Sequence, residues 1–146
     1  MTVEDEYTEP WPAHFSGFME LPDGYPIDLL NLVLYRETAC YPADHPQAHD
    51  GLSGADAFRI YSEQSFPSFA EVGGQIVWAG RMEGMLIGPV NESWSLAFVA
   101  RYPSATAFLK SVAHPDYKSA VVHRQAALKT SRLIRLKPFD PALPGG

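Results

Sequence analysis

His123 and Arg124 stand side by side in the segment HPDYKSAVVHRQAAL, where Tyr117, Ala120, Val121, Arg124, Ala127 and Leu128 recur at helical spacing. An imidazole titrates near neutral pH and a guanidinium grips carboxylates in a fixed fork, so the two offer a general base and an anion clamp. Neighbouring helical positions point in different directions, so one of the two must face the interior. The structural alternative is that Arg124 pairs with a carboxylate across a dimer while His123 stays in solvent, since neither an Asp nor a Ser partner is readable beside the histidine. Asn31 interrupts the apolar run DLLNLVLYR and would bond either to neighbouring backbone or to a ligand, because a buried amide without a partner is costly. Tyr61 lies on the apolar side of a helical pattern, and with Asn31 it could hydrogen-bond an oxyanion while His123 moves a proton. His123, Asn31 and Tyr61 are therefore the candidate catalytic set. Tyr35, Trp78 and Arg124 are the candidate ligand contacts, Trp78 with Trp94 as walls for a flat apolar molecule.

No other constellation competes. Asp44-His45-Pro46-Gln47-Ala48-His49-Asp50 has metal-type side chains, but Pro46 opposes the helix that would bring both imidazoles to one face. Cys40 is the sole cysteine and lacks a Cys-x-x-Cys partner, which leaves a nucleophilic or redox role unsupported. Gly73-Gly74 precedes a strand pattern instead of a helix, the wrong order for a phosphate cradle. Neither a cofactor nor a metal is expected.

The elements that must position these residues follow from periodicity. In Ser93 to Tyr102 a period of two places Trp94, Leu96, Phe98, Ala100 and Tyr102 on one face of a strand. Gln75 to Ala79 forms another strand, with a break at Gly80 to Gly84 and a resumption at Met85 to Gly88. Asp28 to Arg36 is a first strand, and Ser131 to Leu136 a short edge strand. Residues 37–52 form a long loop suited to a lid or a subunit contact. Ser53 with Asp56 resembles a capping box, opening a helix whose buried face is Ala55, Phe58, Tyr61, Ser65, Phe69 and Val72, kinked by Pro67. Ser104 caps a short helix, and Pro115 begins the next one.

The order strand, helix, strand, strand, broken helix, strand is the ferredoxin-like βαββαβ pattern of an α+β domain, an antiparallel sheet with helices on one face. The strands read as apolar on both faces, so the uncovered face calls for a second copy of the sheet. A homodimer is expected. The domain spans residues 28–137, preceded by an arm at 1–27 and followed by a tail at 138–146.

The arm carries Glu4, Asp5, Glu6, Glu9, Glu20 and Asp23 with no Lys or Arg, which is the whole formal net charge of −6. Its four prolines oppose helix, so an irregular extension is expected, packing Trp11, Phe15, Phe18 and Met19 against the body or against a second subunit, and its removal is expected to leave a folded core. The remaining chain is balanced and lacks a basic stripe, which argues against nucleic acid. No apolar run reaches membrane-spanning length, and the acidic start does not resemble a secretory signal, so a soluble cytoplasmic protein is expected.

The stretches LNLVLYR, SGADAFRIYSEQSFPSFAEVGGQIVWAGR, LIGP, WSLAFVARYPS and HPDYKSAVVHRQAALKTSRLI together resemble the domain-of-unknown-function-1330 family in order and spacing, from about Asp28 to Leu136. The resemblance implies a dimeric α/β-barrel fold, in a superfamily that includes cofactor-free monooxygenases, muconolactone-type isomerases and haem-handling enzymes. Such a fold places a cavity between the helices and the concave sheet face. Two functions fit. One is metal-free, monooxygenase- or isomerase-like chemistry on a small apolar carbonyl or carboxylate metabolite. The other is a non-catalytic small-molecule-binding or dimeric scaffold domain. A haem-bound version, with His123 as iron ligand, ranks below the metal-free one because no second haem-pocket feature is readable.

Overall fold

The computed structural model describes residues 7–10, 12–140 and 142. The chain runs α1 (Pro12–Glu20), β1 (Ile27–Tyr35), α2 (Gly54–Glu71), β2 (Gln75–Gly80), β3 (Leu96–Tyr102), α3 (Ala105–Ala113), α4 (Pro115–Ala127) and β4 (Leu128–Leu136). The four strands form one antiparallel sheet in the order β2-β3-β1-β4. This is the expected ferredoxin-like α+β arrangement, with α2 and the α3–α4 pair standing for the two helices of the repeat.

Alternation in β1 divides the two sheet faces. Ile27, Leu29 and Val33 are buried against the helices. Leu30, Leu32 and Leu34 take the opposite, outer face. Val33 packs with Ala57, Phe58, Ala126, Ala127 and Leu128, whereas Ile27 and Leu29 pack with Ala100, Tyr102 and Ala105. Small residues let α2 and α4 close on each other, and Gly54, at the start of α2, packs against the backbones of both Arg36 and Ala127. A Cβ there would lie 2.1 Å from the Arg36 carbonyl and 2.7 Å from that of Ala127.

Local signals held at several ends. Ser53 Oγ accepts from Asp56 N at 3.0 Å and Ser104 Oγ from Ala107 N at 3.1 Å, capping α2 and α3. His114 Nδ1 accepts from Asp116 N at 3.0 Å, capping α4 with Pro115 as its first residue. Gly73, at φ 85°, takes the left-handed turn out of α2. Arg101 donates to both Asp28 oxygens at 2.7 and 2.9 Å.

Other expectations are corrected. Residues 12–20 form a helix despite the prolines, because Pro12 occupies its first position, where no N–H is needed. Phe18 packs against the body as expected, Tyr25 and Ile27 join it, Phe15 and Met19 are exposed on their own chain, and Trp11 lies outside the described residues. The buried face of α2 is Gly54, Ala57, Phe58 and Ser68, leaving Ala55 exposed. β2 is exposed along most of its length, and a bulge at Val77 sets Ile76 opposite Ala100 and Trp78 opposite Val99. Met85 to Gly88 does not resume a strand. β4 begins three residues earlier than expected, at the fully buried Leu128, because that side chain is drawn into the helix-side core.

Candidate functional site

The alanine-rich stripe of α4 decides which of the two adjacent residues turns inward. Ala120, His123 and Ala127 share the buried face by their spacing of three and four, so His123 is buried and the expectation of a solvated imidazole is overturned. Arg124 takes the neighbouring direction. Its Nη1 donates to the Thr8 carbonyl at 2.6 Å and its Nη2 to Ser131 Oγ at 3.4 Å, so the guanidinium ties the arm to β4.

The partner of His123 comes from the loop at 37–52. The Cys40 amide donates to the Ala126 carbonyl at 2.9 Å and the Ala39 amide to the Leu52 carbonyl at 2.8 Å, which pins the start of the loop to the end of α4. Tyr41 is thereby buried, with its hydroxyl 2.6 Å from His123 Nδ1. Next, His45 N bonds the Pro42 carbonyl at 2.9 Å in a tight turn, and its Nδ1 accepts from Gln47 N at 3.0 Å. That acceptor role leaves the proton of neutral His45 on Nε2. The His45 ring stacks on Tyr41 at 4.7 Å between centroids and stands edge-on to His123 at 5.6 Å.

Burial, and then the neighbouring His45, hold the His123 pKa below the ordinary histidine value. Burial, and then Asp50, push the Tyr41 phenol up. Both groups are therefore neutral at pH 7, and a proton can sit on either side of their short bond. His123 Nε2 has no hydrogen-bond partner among the described residues. Arg36 Nε is the only fully buried side-chain polar atom among them without one, so Nε2 keeps access to solvent. The pair can take a proton at Nε2 while Nδ1 and the tyrosine hydroxyl adjust behind it.

None of the remaining candidates hydrogen-bonds to this pair. Asn31 is on the helix-side face, opposite Phe98 and Leu133, and its Nδ2 donates to the Leu29 carbonyl at 3.1 Å. Tyr61 packs on Phe58 at 5.4 Å and on Tyr117 at 6.1 Å between centroids, and burial pushes its phenol up. Tyr117 precedes His123 by six residues, about 9 Å along α4, so Tyr61 makes its ring contact with α4 nearer the start of that helix than His123. Tyr35 packs on Phe58 at 5.4 Å; burial raises its pKa, with Arg81 opposing. Trp78 shares the outer face with Val99, on the far side of the sheet from His123. Between α2, α4 and the sheet, the space is occupied by Phe58, Tyr61, Leu96, Phe98 and Val122. An open recess of about 370 Å³ lies elsewhere, lined by Glu71, Ser104, Lys110 and His114 among others.

Tyr41 and His45 were missed as a constellation. The signal was present as two rings, each followed by a proline, in YPADHP, but a loop of that composition reads as solvated. Among the described residues, no group of three or more His, Cys, Asp or Glu comes together as a metal site would require.

Comparison with known proteins bears on the whole chain. Residues 49–135 match the domain of unknown function family DUF1330. A crystal structure of a protein of unknown function from Rhodopseudomonas palustris is 44% identical over 92% of this chain and 98% of its own, with a TM-score of 0.84. A crystal structure of the methylated protein gives 41% identity, 95% and 99% coverage and a TM-score of 0.86. A cofactor-independent oxygenase from Streptomyces nogalater is similar at 15% identity over 80% of this chain and 95% of its own, with a TM-score of 0.49; that likeness carries no chemistry to the present chain. Curated proteins give no match. The family match and the Rhodopseudomonas likeness together establish that this chain belongs to the DUF1330 family.

Proposed function

We propose that this protein is a homodimeric, metal-free acid–base enzyme that moves a proton on a small apolar carbonyl or carboxylate metabolite. The observation that carries this reading is the 2.6 Å bond between the Tyr41 hydroxyl and His123 Nδ1, formed by two buried neutral groups whose outer nitrogen still meets solvent. His123 is the base at Nε2, in the tautomer whose Nδ1–H donates to the Tyr41 hydroxyl oxygen, and His45 stacks on Tyr41 beside the pair. Tyr61 and Tyr35 pack against the core cluster that holds Tyr41, Asn31 bonds the Leu29 carbonyl, and none of the three takes part in the proton transfer. Arg124 and Trp78 have no part in the proton transfer.

The homodimer rests on the outer sheet face, where Leu30, Leu32, Leu34, Val99, Ile134 and Leu136 lie among Arg132 and the Asp28–Arg101 ion pair and no helix among the described residues packs. Soluble monomers rarely leave such a face open.

The test is exchange of substrate carbon-bound hydrogen in D2O, followed by NMR across a panel of β-dicarbonyl and aromatic acids. Exchange by the wild type that falls at least 100-fold in His123→Gln supports the reading. Absence of exchange with every compound, together with absence of thermal stabilisation, removes it. A second reading, a non-catalytic dimeric scaffold, is favoured by the aromatic filling between the helices and the sheet, and it predicts that negative result.

A further inference from the structure

We infer that the segment between β2 and β3, residues 81–95, is a clasp that a second copy of this chain receives on the outer face of its sheet. The inference rests on the homodimer proposed above and adds the element that reaches across.

Leu86, Ile87 and Val90 are 97%, 92% and 99% exposed, beyond any other large apolar side chain among the described residues. The segment that carries them is held in shape. At its base the Ser95 amide donates to the Val33 carbonyl at 2.8 Å, and Ser95 Oγ accepts from the Tyr35 amide at 2.9 Å. Near its tip the Glu92 amide donates to the Pro89 carbonyl at 3.2 Å. Met85 folds back against Gly88, so closely that a Cβ at Gly88, where φ is 151°, would lie 2.5 Å from the sulfur. Met85 therefore turns inward while Leu86 and Ile87 are presented outward, an arrangement that gains nothing in a monomer.

Charge and continuity select the occupant. The segment carries Glu83 and Glu92 against Arg81 alone, which disfavours an anionic lipid surface. On the outer sheet face Arg132, level with Leu32, donates only to Thr130 Oγ1 at 3.3 Å and the Ser131 carbonyl at 2.8 Å. Its guanidinium lies between the rings of Tyr7 and Trp94, with no carboxylate partner among the described residues. A second copy supplies both what the clasp lacks and what this face lacks: an apolar surface for Leu86, Ile87 and Val90, and a cation for the clasp's glutamates.

The test places the photo-crosslinking residue p-benzoylphenylalanine at position 87 in a mixture of ¹⁴N- and ¹⁵N-labelled full-length chains, which distinguishes links between copies from links within one. Mixed-isotope products joining position 87 to peptides covering residues 28–36 or 128–137 are expected, as is at least a tenfold rise in the dimer dissociation constant for Ile87→Asp with an unchanged melt of the monomer. Links only within one chain, links to other peptides or no link, in a protein that light scattering finds dimeric, overturn the clasp and leave the dimer standing. A wild-type monomer at micromolar concentration overturns both.

Discussion

The hydroxyl of Tyr41 and Nδ1 of His123 lie 2.6 Å apart although 82 residues separate them in the chain. That contact closes the loop at 37–52 onto α4 and converts two ordinary side chains into one proton-sharing unit. Tyr41→Phe keeps the ring but leaves Nδ1 without its partner, so a loss of about 1–2 kcal/mol is expected in denaturant unfolding. In NMR titration the His123 pKa should move as well, whereas a purely packing role for Tyr41 would leave it in place.

His123 titrates below the ordinary histidine value in the folded protein. The unfolded chain thus binds the proton more readily, so stability is fully present above about pH 6.5 and is lost as pH falls from there through the folded pKa. His123→Gln should flatten that part of the stability–pH curve. A slope unchanged in the variant would assign the dependence to another group.

Asp23 gives a second, more acidic dependence. Its carboxylate accepts from the Ala105 amide at 2.8 Å and the Thr106 amide at 3.1 Å, and also from the Thr106 hydroxyl, so it caps α3 from the arm. The Thr106 hydroxyl and then the Gly24 amide, at 2.7 Å, contribute most to lowering its pKa to about 2. The cap is present above about pH 3.8 and is lost as pH falls toward 2. Asp23→Asn should remove the fall in stability over that window, measured by circular dichroism.

Gly54→Ala should be among the most damaging single substitutions. The added methyl meets two backbone carbonyls, neither of which can swing aside. A loss above about 1–3 kcal/mol, the usual range for overpacking, is expected in chemical denaturation, and a near-neutral effect would refute the tight approach of Gly54 to the Arg36 and Ala127 backbones.

Removal of residues 1–26 is expected to destroy the cooperative melt, the reverse of what the proline content suggests. Phe18 stacks near Phe108 at 5.4 Å, Arg135 lies over Phe18 and bonds the Pro22 carbonyl at 2.7 Å, and Asp23 caps α3. Differential scanning calorimetry of the shortened chain decides it, and an unchanged sharp transition would return these residues to the status of a dispensable arm.

Residues close in sequence carried much of the fold on their face. Alternation in Ile27–Tyr35 and Leu96–Tyr102, the caps at Ser53 and Ser104, and Pro115 opening a helix depend on neighbours within about one turn or two strand positions, and all were legible. The homodimer was inferred from the same alternation, because apolar residues on both sides of a sheet with helices on one side leave a face without a cover. What stayed hidden depended on contacts between distant residues. The turn of His123 inward followed from the small residues that let α2 approach α4, and its pairing with Tyr41 from a loop pinned by the Ala126 carbonyl. The bulge at Val77, the burial of Ile27 in the core and the outward set of Leu86 and Ile87 are likewise outcomes of register and packing. Local periodicity states which side chains can share a face, but the partner across that face is chosen by long-range packing, and at Tyr41 and His123 that choice defines the proposed site.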